Sequence, residues 1–156
     1  MWGKGLVRGI SVVSASLCCL LAYSDGQLAK VVRVVDGDTL AVRMLDSGKS
    51  ERVRLTGIDA PELAQAGGPE AKAALTKWAE GKTVWLGVKA RDKYHRLLAD
   101  VWCGRSWLNK RLVETGNAWG QGKGFHALQG KAAVSRLGLW GGSAPTMPSD
   151  FRRFGK

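Results

Sequence analysis

The run LAKVVRVVDGDTLAVRML, residues 28–45, decides the architecture. Leu28 to Val35 is rich in β-branched residues and reads as a strand. Asp36-Gly37-Asp38-Thr39 follows as a turn with an Asp-Gly step, and Leu40 to Leu45 resumes as a strand. Asp46-Ser47-Gly48-Lys49 is a second turn. Glu51 to Ile58 then reads as a third strand, in which Arg52 and Arg54 alternate with Val53 and Leu55. That period of two makes one face apolar and lines the other with guanidinium groups.

Working outward, Pro69 to Glu80 has the pattern of a helix, with proline suited to the first turn and Gly81 to the stop. Thr83 to Lys89 and Leu97 to Cys103 are a fourth and a fifth strand. Trp107 to Thr115 is a second helix, stopped by Gly116, and Phe125 to Leu137 a third. Gly141 to Lys156 reads as a tail with Pro145, Pro148 and the basic end FRRFGK. Three consecutive antiparallel strands, a helix and two more strands fit an α+β, mainly β chain. The closest architecture is an OB-type five-stranded barrel with three helices; an open α+β sheet is the alternative. The tryptophans at 78, 85, 102, 107 and 119 fall on or beside these elements and are expected mostly in the core.

The chain has 156 residues, with 24 Lys+Arg against 13 Asp+Glu and a net charge of +11. With 45% apolar residues it is a globular composition, not a disordered one, and the basic excess favours anionic partners, nucleic acid first. The first 24 residues differ from the rest. Lys4 and Arg8 precede an uncharged run from Gly9 to Tyr23, and Ala22 and Ser24 occupy the −3 and −1 positions of a cut before Asp25. This is the pattern of a secretory signal peptide over residues 1–24, and an uncleaved anchor is the alternative. Cleavage removes Cys18 and Cys19, so Cys103 alone remains and no intramolecular disulfide is expected. The expectation is an exported protein, secreted or periplasmic, with no membrane association after cleavage.

Three segments concentrate charge at turns or strand ends: Asp36–Thr39, Arg54–Glu62 and Arg91–Arg96. Asp38, Asp59 and Glu62 are carboxylates beside apolar strands. If they converge, they repel unless a cation or a proton intervenes. His95 and His126 are the only histidines, so an all-oxygen site favours a hard ion, Ca²⁺ or Mg²⁺, over zinc. Arg54 and Arg96 supply planar donors that match phosphate oxygens. A metal, an acid–base carboxylate and two arginines are what phosphodiester hydrolysis requires. Each segment alone has a blander reading: a hairpin turn for Asp36–Thr39, a helix cap for Asp59–Glu62, a solvated basic turn for Lys93–Arg96.

The ordered set VVDGDT, RLTGIDAPE, DKYHR and GLW at residues 138–140, with GPEA at 68–71, resembles the staphylococcal nuclease (thermonuclease) family from about Val31 to Trp140. The resemblance implies an OB-type barrel with three helices that hydrolyses DNA and RNA with Ca²⁺ and leaves 3′-phosphates. It implies Asp38 and Asp59 as Ca²⁺ ligands, joined by the main-chain carbonyl at Ala60. Arg54 and Arg96 match the catalytic arginines, and Glu62 the carboxylate assigned as general base. Lys93 and Tyr94 match residues that contact a substrate phosphate, and Asp36 stands behind the ligands. His95 takes a place where the family commonly has glycine. The family enzyme's paired tyrosines over the base are missing after Gly116; Trp119 or Phe125 could stack there instead.

The organisation expected is therefore a signal over residues 1–24, a nuclease barrel over 25–142 and a basic tail over 143–156. The activity expected is a calcium-dependent endonuclease with DNA and RNA as substrates, monomeric, with no stable protein partner. A non-catalytic nucleic-acid-binding module on the same barrel is the alternative. A basic adhesive protein is a third reading, and it needs none of Asp38, Arg54, Asp59, Glu62 and Arg96.

Overall fold

The computed structural model describes residues 26–142 and 144–155; the expected signal and its cut after Ser24 lie outside the described residues. The first strand, β1 (Gln27–Asp36), pairs antiparallel with β2 (Thr39–Met44), and β2 pairs antiparallel with β3 (Ser50–Leu55). The β1–β2 register slips between Val31 and Arg33, which face Val42 and Ala41. Val32 is the extra residue, and this bulge turns it to solvent while Val31 and Val34 both point inward. That is how a strand with two Val-Val pairs keeps one buried face.

β5 (Thr83–Arg91) pairs antiparallel with the start of β1, and β6 (Leu97–Cys103) with β5. β6 then runs parallel to β3, with Val53, Arg54 and Leu55 opposite Leu97, Leu98 and Ala99. This last pairing closes the sheet into a five-stranded mixed barrel, the expected architecture. Val31, Val34, Leu40, Val42, Val53, Leu55, Leu86 and Val101 fill it, each at most 1% exposed. Closure leaves neither β3 nor β6 as a free edge.

Helix α1 (Gly68–Ala79) buries Ala71, Leu75 and Ala79, spaced by four along one face. Pro69 sits in its first turn, as the sequence indicated. Helix α2 (Leu108–Glu114) buries Leu108, Leu112 and Val113. Helix α3 (Lys123–Val134) starts two residues earlier than expected, and a 3-10 turn at Gly138–Gly141 takes the GLW segment.

The structure corrects three expectations. The third strand does not run to Ile58: the chain turns at Thr56-Gly57, where Gly57 has φ 69°. A side chain at Gly57 would also meet the Phe125 ring at 2.7 Å. Ile58 and Asp59 then form a separate short strand, β4, antiparallel to β8 (Trp119–Gly120). Second, the tail is not plain: Pro148–Phe154 is a fourth helix, α4, with Asp150 in its first turn and Arg152 and Arg153 in its last. Third, Trp119 is buried, but Trp78, Trp85, Trp102 and Trp107 are only half-buried. Trp85, Trp102 and Trp107, the last in the two-residue strand β7 (Ser106–Trp107), form a ladder with ring centroids 4.9 and 5.6 Å apart. Trp119 and Phe125 pack inside, so neither is placed to stack on a base.

Candidate active site

The β1–β2 turn supplies the first carboxylates. The Asp38 N–H donates to Asp36 Oδ1 at 3.1 Å, which fixes the turn locally. At Gly37 a Cβ would lie 2.6 Å from the Ala60 methyl and 2.8 Å from the Ala71 methyl. Only glycine lets this turn lie against both α1 and the loop after β4.

Asp38 is buried at the floor of a cleft. Its Oδ2 accepts the Ala60 main-chain N–H at 2.7 Å, and its Oδ1 accepts the Thr39 hydroxyl at 3.2 Å. Arg54 Nε lies 3.1 Å from the same Oδ1, and Arg54 Nη2 lies 2.9 Å from Asp59 Oδ1. Arg54 Nη1 donates to the carbonyls of Leu55 at 2.7 Å and Ile58 at 3.0 Å. The guanidinium is thus held by the turn after β3 and clamps the two aspartates together. Burial pushes the Asp38 carboxyl up to about 7, Arg54 and the Ala60 N–H oppose this, and Asp36 and Asp59 add to it.

Arg96 enters from the β5–β6 hairpin. Its Nε donates to Asp92 Oδ2 at 2.8 Å and its N–H to Asp92 Oδ1 at 2.9 Å. The hairpin turn needs a left-handed residue, and His95 takes φ 63° there. That explains a position where glycine is at home. The Arg96 guanidinium lies 5.5 Å from the centre of the Tyr94 ring, which is exposed.

One cleft of about 530 Å³ gathers Asp38, Arg54, Asp59, Ala60, Glu62, Tyr94 and Arg96, so seven of the eight residues singled out in the sequence share its wall. Asp36 lines it as well. Lys93 does not: its Nζ lies over the Tyr94 ring at 5.1 Å, one step outside. The cleft also contains Arg52, which the alternation along β3 displayed without assigning it a role.

Arg152, in contrast, was missed. It projects from α4 into the cleft, with Nη2 at 2.9 Å from Asp59 Oδ2 and Nη1 at 2.7 Å from Glu62 Oε1. These two carboxylates push its already high pKa further up. The signal for its helix was present in PSDFRRFG, with proline in the first turn, then an acid, then bases, then glycine. The placement of Arg152 against Asp59, 93 residues earlier in the chain, had no local signal.

A metal ion would find hard oxygen donors here. Asp38 and Asp59 are 6% and 4% exposed, and with Asp36 and Glu62 beside them the four acids of the cleft outnumber the two arginines, Arg54 and Arg152, that pair with them. Among the described residues no three His, Cys, Asp or Glu side chains form a ready-made cage. An ion seated on Asp38 and Asp59 therefore needs main-chain carbonyl and water ligands as well.

The chain is similar to known proteins over much of its length. Residues 52–142 match the family described as staphylococcal nuclease homologue. A protein of Haemophilus influenzae named an uncharacterized endonuclease is 37% identical over 129 residues, 80% of this chain and 72% of that protein. A protein of Escherichia coli with the same name is 36% identical over 125 residues, 76% of this chain and 80% of its own length. One of Oryza sativa subsp. japonica, named a probable staphylococcal-like nuclease, is 36% identical over 110 residues. There the match spans 67% of this chain but only 33% of the rice protein. With a family match over more than half its length and these relatives, the chain belongs to the staphylococcal nuclease family.

Proposed function

We propose that this protein is an exported, Ca²⁺-dependent endonuclease that hydrolyses phosphodiester bonds of DNA and RNA and leaves 3′-phosphate ends. The observation that carries the reading is the convergence of Asp38, Arg54, Asp59, Glu62 and Arg96 on one cleft. Two relatives named endonucleases support the activity. The requirement for a hard ion rests on the all-oxygen donor set and its identity as calcium on the family, the substrates on the basic charge and the family, and export on the sequence of residues 1–24.

Asp38, Asp59 and the main chain at Ala60 would hold the ion, whose charge would stabilise a nonbridging phosphate oxygen when bound. Glu62 accepts the proton of the attacking water. Arg54 is fixed against both aspartates and presents positive charge to the phosphate without reorganising. Arg96, oriented by Asp92, stabilises the developing charge and assists the departing 5′ oxygen. Tyr94 stands at the mouth, where a neighbouring phosphate would pass.

The alternative, a binding module without catalysis, needs none of the paired acids and arginines, and their joint presence disfavours it. Digestion of plasmid DNA and of RNA by the purified protein in Ca²⁺, in Mg²⁺ and in chelator tests the reading. Cleavage in Ca²⁺ alone, with ends that a 3′-phosphatase converts to primers, is expected. Binding without cleavage in all three conditions favours the module, and equal turnover in Mg²⁺ overturns the calcium assignment. Intact-mass analysis of exported protein tests the signal: Asp25 is expected at the N-terminus.

A further inference from the structure

Arg152 is not part of the barrel, yet it makes the closest ion pair in the cleft. Its guanidinium takes Asp59 Oδ2 at 2.9 Å and Glu62 Oε1 at 2.7 Å, with a longer contact of 3.4 Å to Asp59 Oδ1. Arg54 already approaches Asp59 from the barrel side at 2.9 Å. Arg152 therefore covers the outer oxygen of Asp59 and the side chain of Glu62, the two groups the proposed function gives to the ion and to the attacking water.

The carrier of Arg152 is lightly seated. α4 has seven residues, fewer than a helix needs to persist in water without docking. Beneath the tail lies a cavity of about 580 Å³, lined on one side by Gln65, Gly67, Asn117 and Leu139 and on the other by Phe151. Two anchors hold the segment: Pro148 is buried, and the Gln65 amide donates to the Thr146 carbonyl at 2.6 Å. Gln65 is itself buried, and its Oε1 accepts the Glu62 N–H at 3.2 Å. One side chain thus links the loop that carries Glu62 to the segment that leads into α4.

A guanidinium on Asp59 Oδ2 and a divalent cation on the same carboxylate are competing partners. They repel each other at close range, and the cation brings twice the charge to an acidic cluster of Asp36, Asp38, Asp59 and Glu62. We propose that Arg152 is a built-in counter-ion that competes with the divalent cation for Asp59 while occupying Glu62, so that docking of the C-terminal helix and cation binding oppose each other. This rests on the proposed function for the identity of the site, and it adds a control that the barrel residues do not provide. By linkage, the factor by which the docked helix weakens the cation is the factor by which the cation loosens the helix.

Calorimetric titration of Ca²⁺ into the purified protein and into Arg152→Gln, without nucleic acid, tests the inference. The variant is expected to bind Ca²⁺ roughly five-fold more tightly or better, within the usual range of coupling between linked sites. Arg152→Lys, a point charge without the planar fork, is expected between the two. Hydrogen exchange on the wild type gives a second measurement that needs no variant: amides of residues 146–154 should exchange faster in saturating Ca²⁺ than in chelator. Equal or weaker Ca²⁺ binding by Arg152→Gln, or unchanged exchange in the tail, overturns the proposal. A wild type that cleaves nucleic acid with Ca²⁺ and shows neither effect defeats this inference alone. One that neither binds Ca²⁺ nor cleaves defeats the proposed function with it.

Discussion

The Asp38 carboxylate accepts the main-chain N–H of Ala60 at 2.7 Å, so one oxygen of a buried acid fixes the loop that follows the other buried acid. The same side chain therefore serves the fold and the site. Its pairing with Arg54 at 3.1 Å does not remove the burial penalty, and its carboxyl is pushed up to about 7. Between these roles lies a conflict that a single substitution separates.

Asp38→Asn keeps the shape and removes the charge. In chelator near pH 7.5 the variant is expected to be as stable as the wild type or more stable, by about 1 kcal/mol, while losing most activity. In saturating Ca²⁺ the order should reverse, because an ion bound to the native state stabilises only the protein that keeps its ligand. The sign of the pH effect follows from the raised value. Unfolded, Asp38 loses its proton near 3.8; folded, only near 7. Between these the native state holds more protons, so the wild type in chelator should lose stability as pH rises from 4 to 7.5. The variant should lack that component. Denaturant melts of both proteins across this range, with chelator and with Ca²⁺, decide it; a wild type indifferent to saturating Ca²⁺ counts against the ion site.

Glu62 is half-buried at the cleft wall, and its side chain pairs with Arg152 of α4, outside the barrel. Glu62→Gln should therefore leave the melting temperature within a degree or two and lower kcat by about 10²–10⁴, the usual contribution of a general base. The glutamine can still accept from Arg152, so lost proton transfer rather than lost packing is what the assay reads. A variant with undiminished kcat at saturating substrate removes Glu62 from the base role.

Asn109 connects the helices to the site through the main chain. Its side chain is fully buried, accepts the Val101 N–H at 2.9 Å and donates to the Thr56 carbonyl at 2.9 Å, in the turn that leads to Asp59. Asn109→Ala strands an N–H and a carbonyl away from water. We expect a loss of about 2–3 kcal/mol in urea melts, more than a surface asparagine would cost. A loss below about 0.5 kcal/mol would mean that water replaces the amide.

The barrel was legible because its information is local and periodic. Val53 and Leu55 alternate with Arg52 and Arg54, and the DG and SG steps mark the turns. The acids and arginines of the site were legible because their three segments lie at turns or strand ends, where charge beside an apolar strand is conspicuous. Two things were not. The break at Gly57 is invisible to alternation, because Thr56-Gly57 continues an acceptable strand pattern until the left-handed φ and the Phe125 ring enforce the turn. The reach of Arg152 into the cleft depends on a buried glutamine and a helix of two turns, and their meeting is set by tertiary contacts alone.

Arg52 offers the last test, because its position separates binding from chemistry. It stands two residues before Arg54 on the same strand, opposite Ala41 on β2, and its side chain is exposed at the cleft mouth beside Tyr94. Arg54 is paired with Asp38 and Asp59, whereas Arg52 forms no salt bridge among the described residues. A free guanidinium there can contact a phosphate one or two nucleotides from the bond being cut. Arg52→Ala should leave stability and kcat on a saturating short substrate nearly unchanged. On long single-stranded DNA it should raise KM several-fold and lower the slope of log KM against log salt by about one, the signature of one lost phosphate contact. A fall in kcat with unchanged KM would place Arg52 among the groups that act on the transition state, and an unchanged salt slope would take it off the substrate's path.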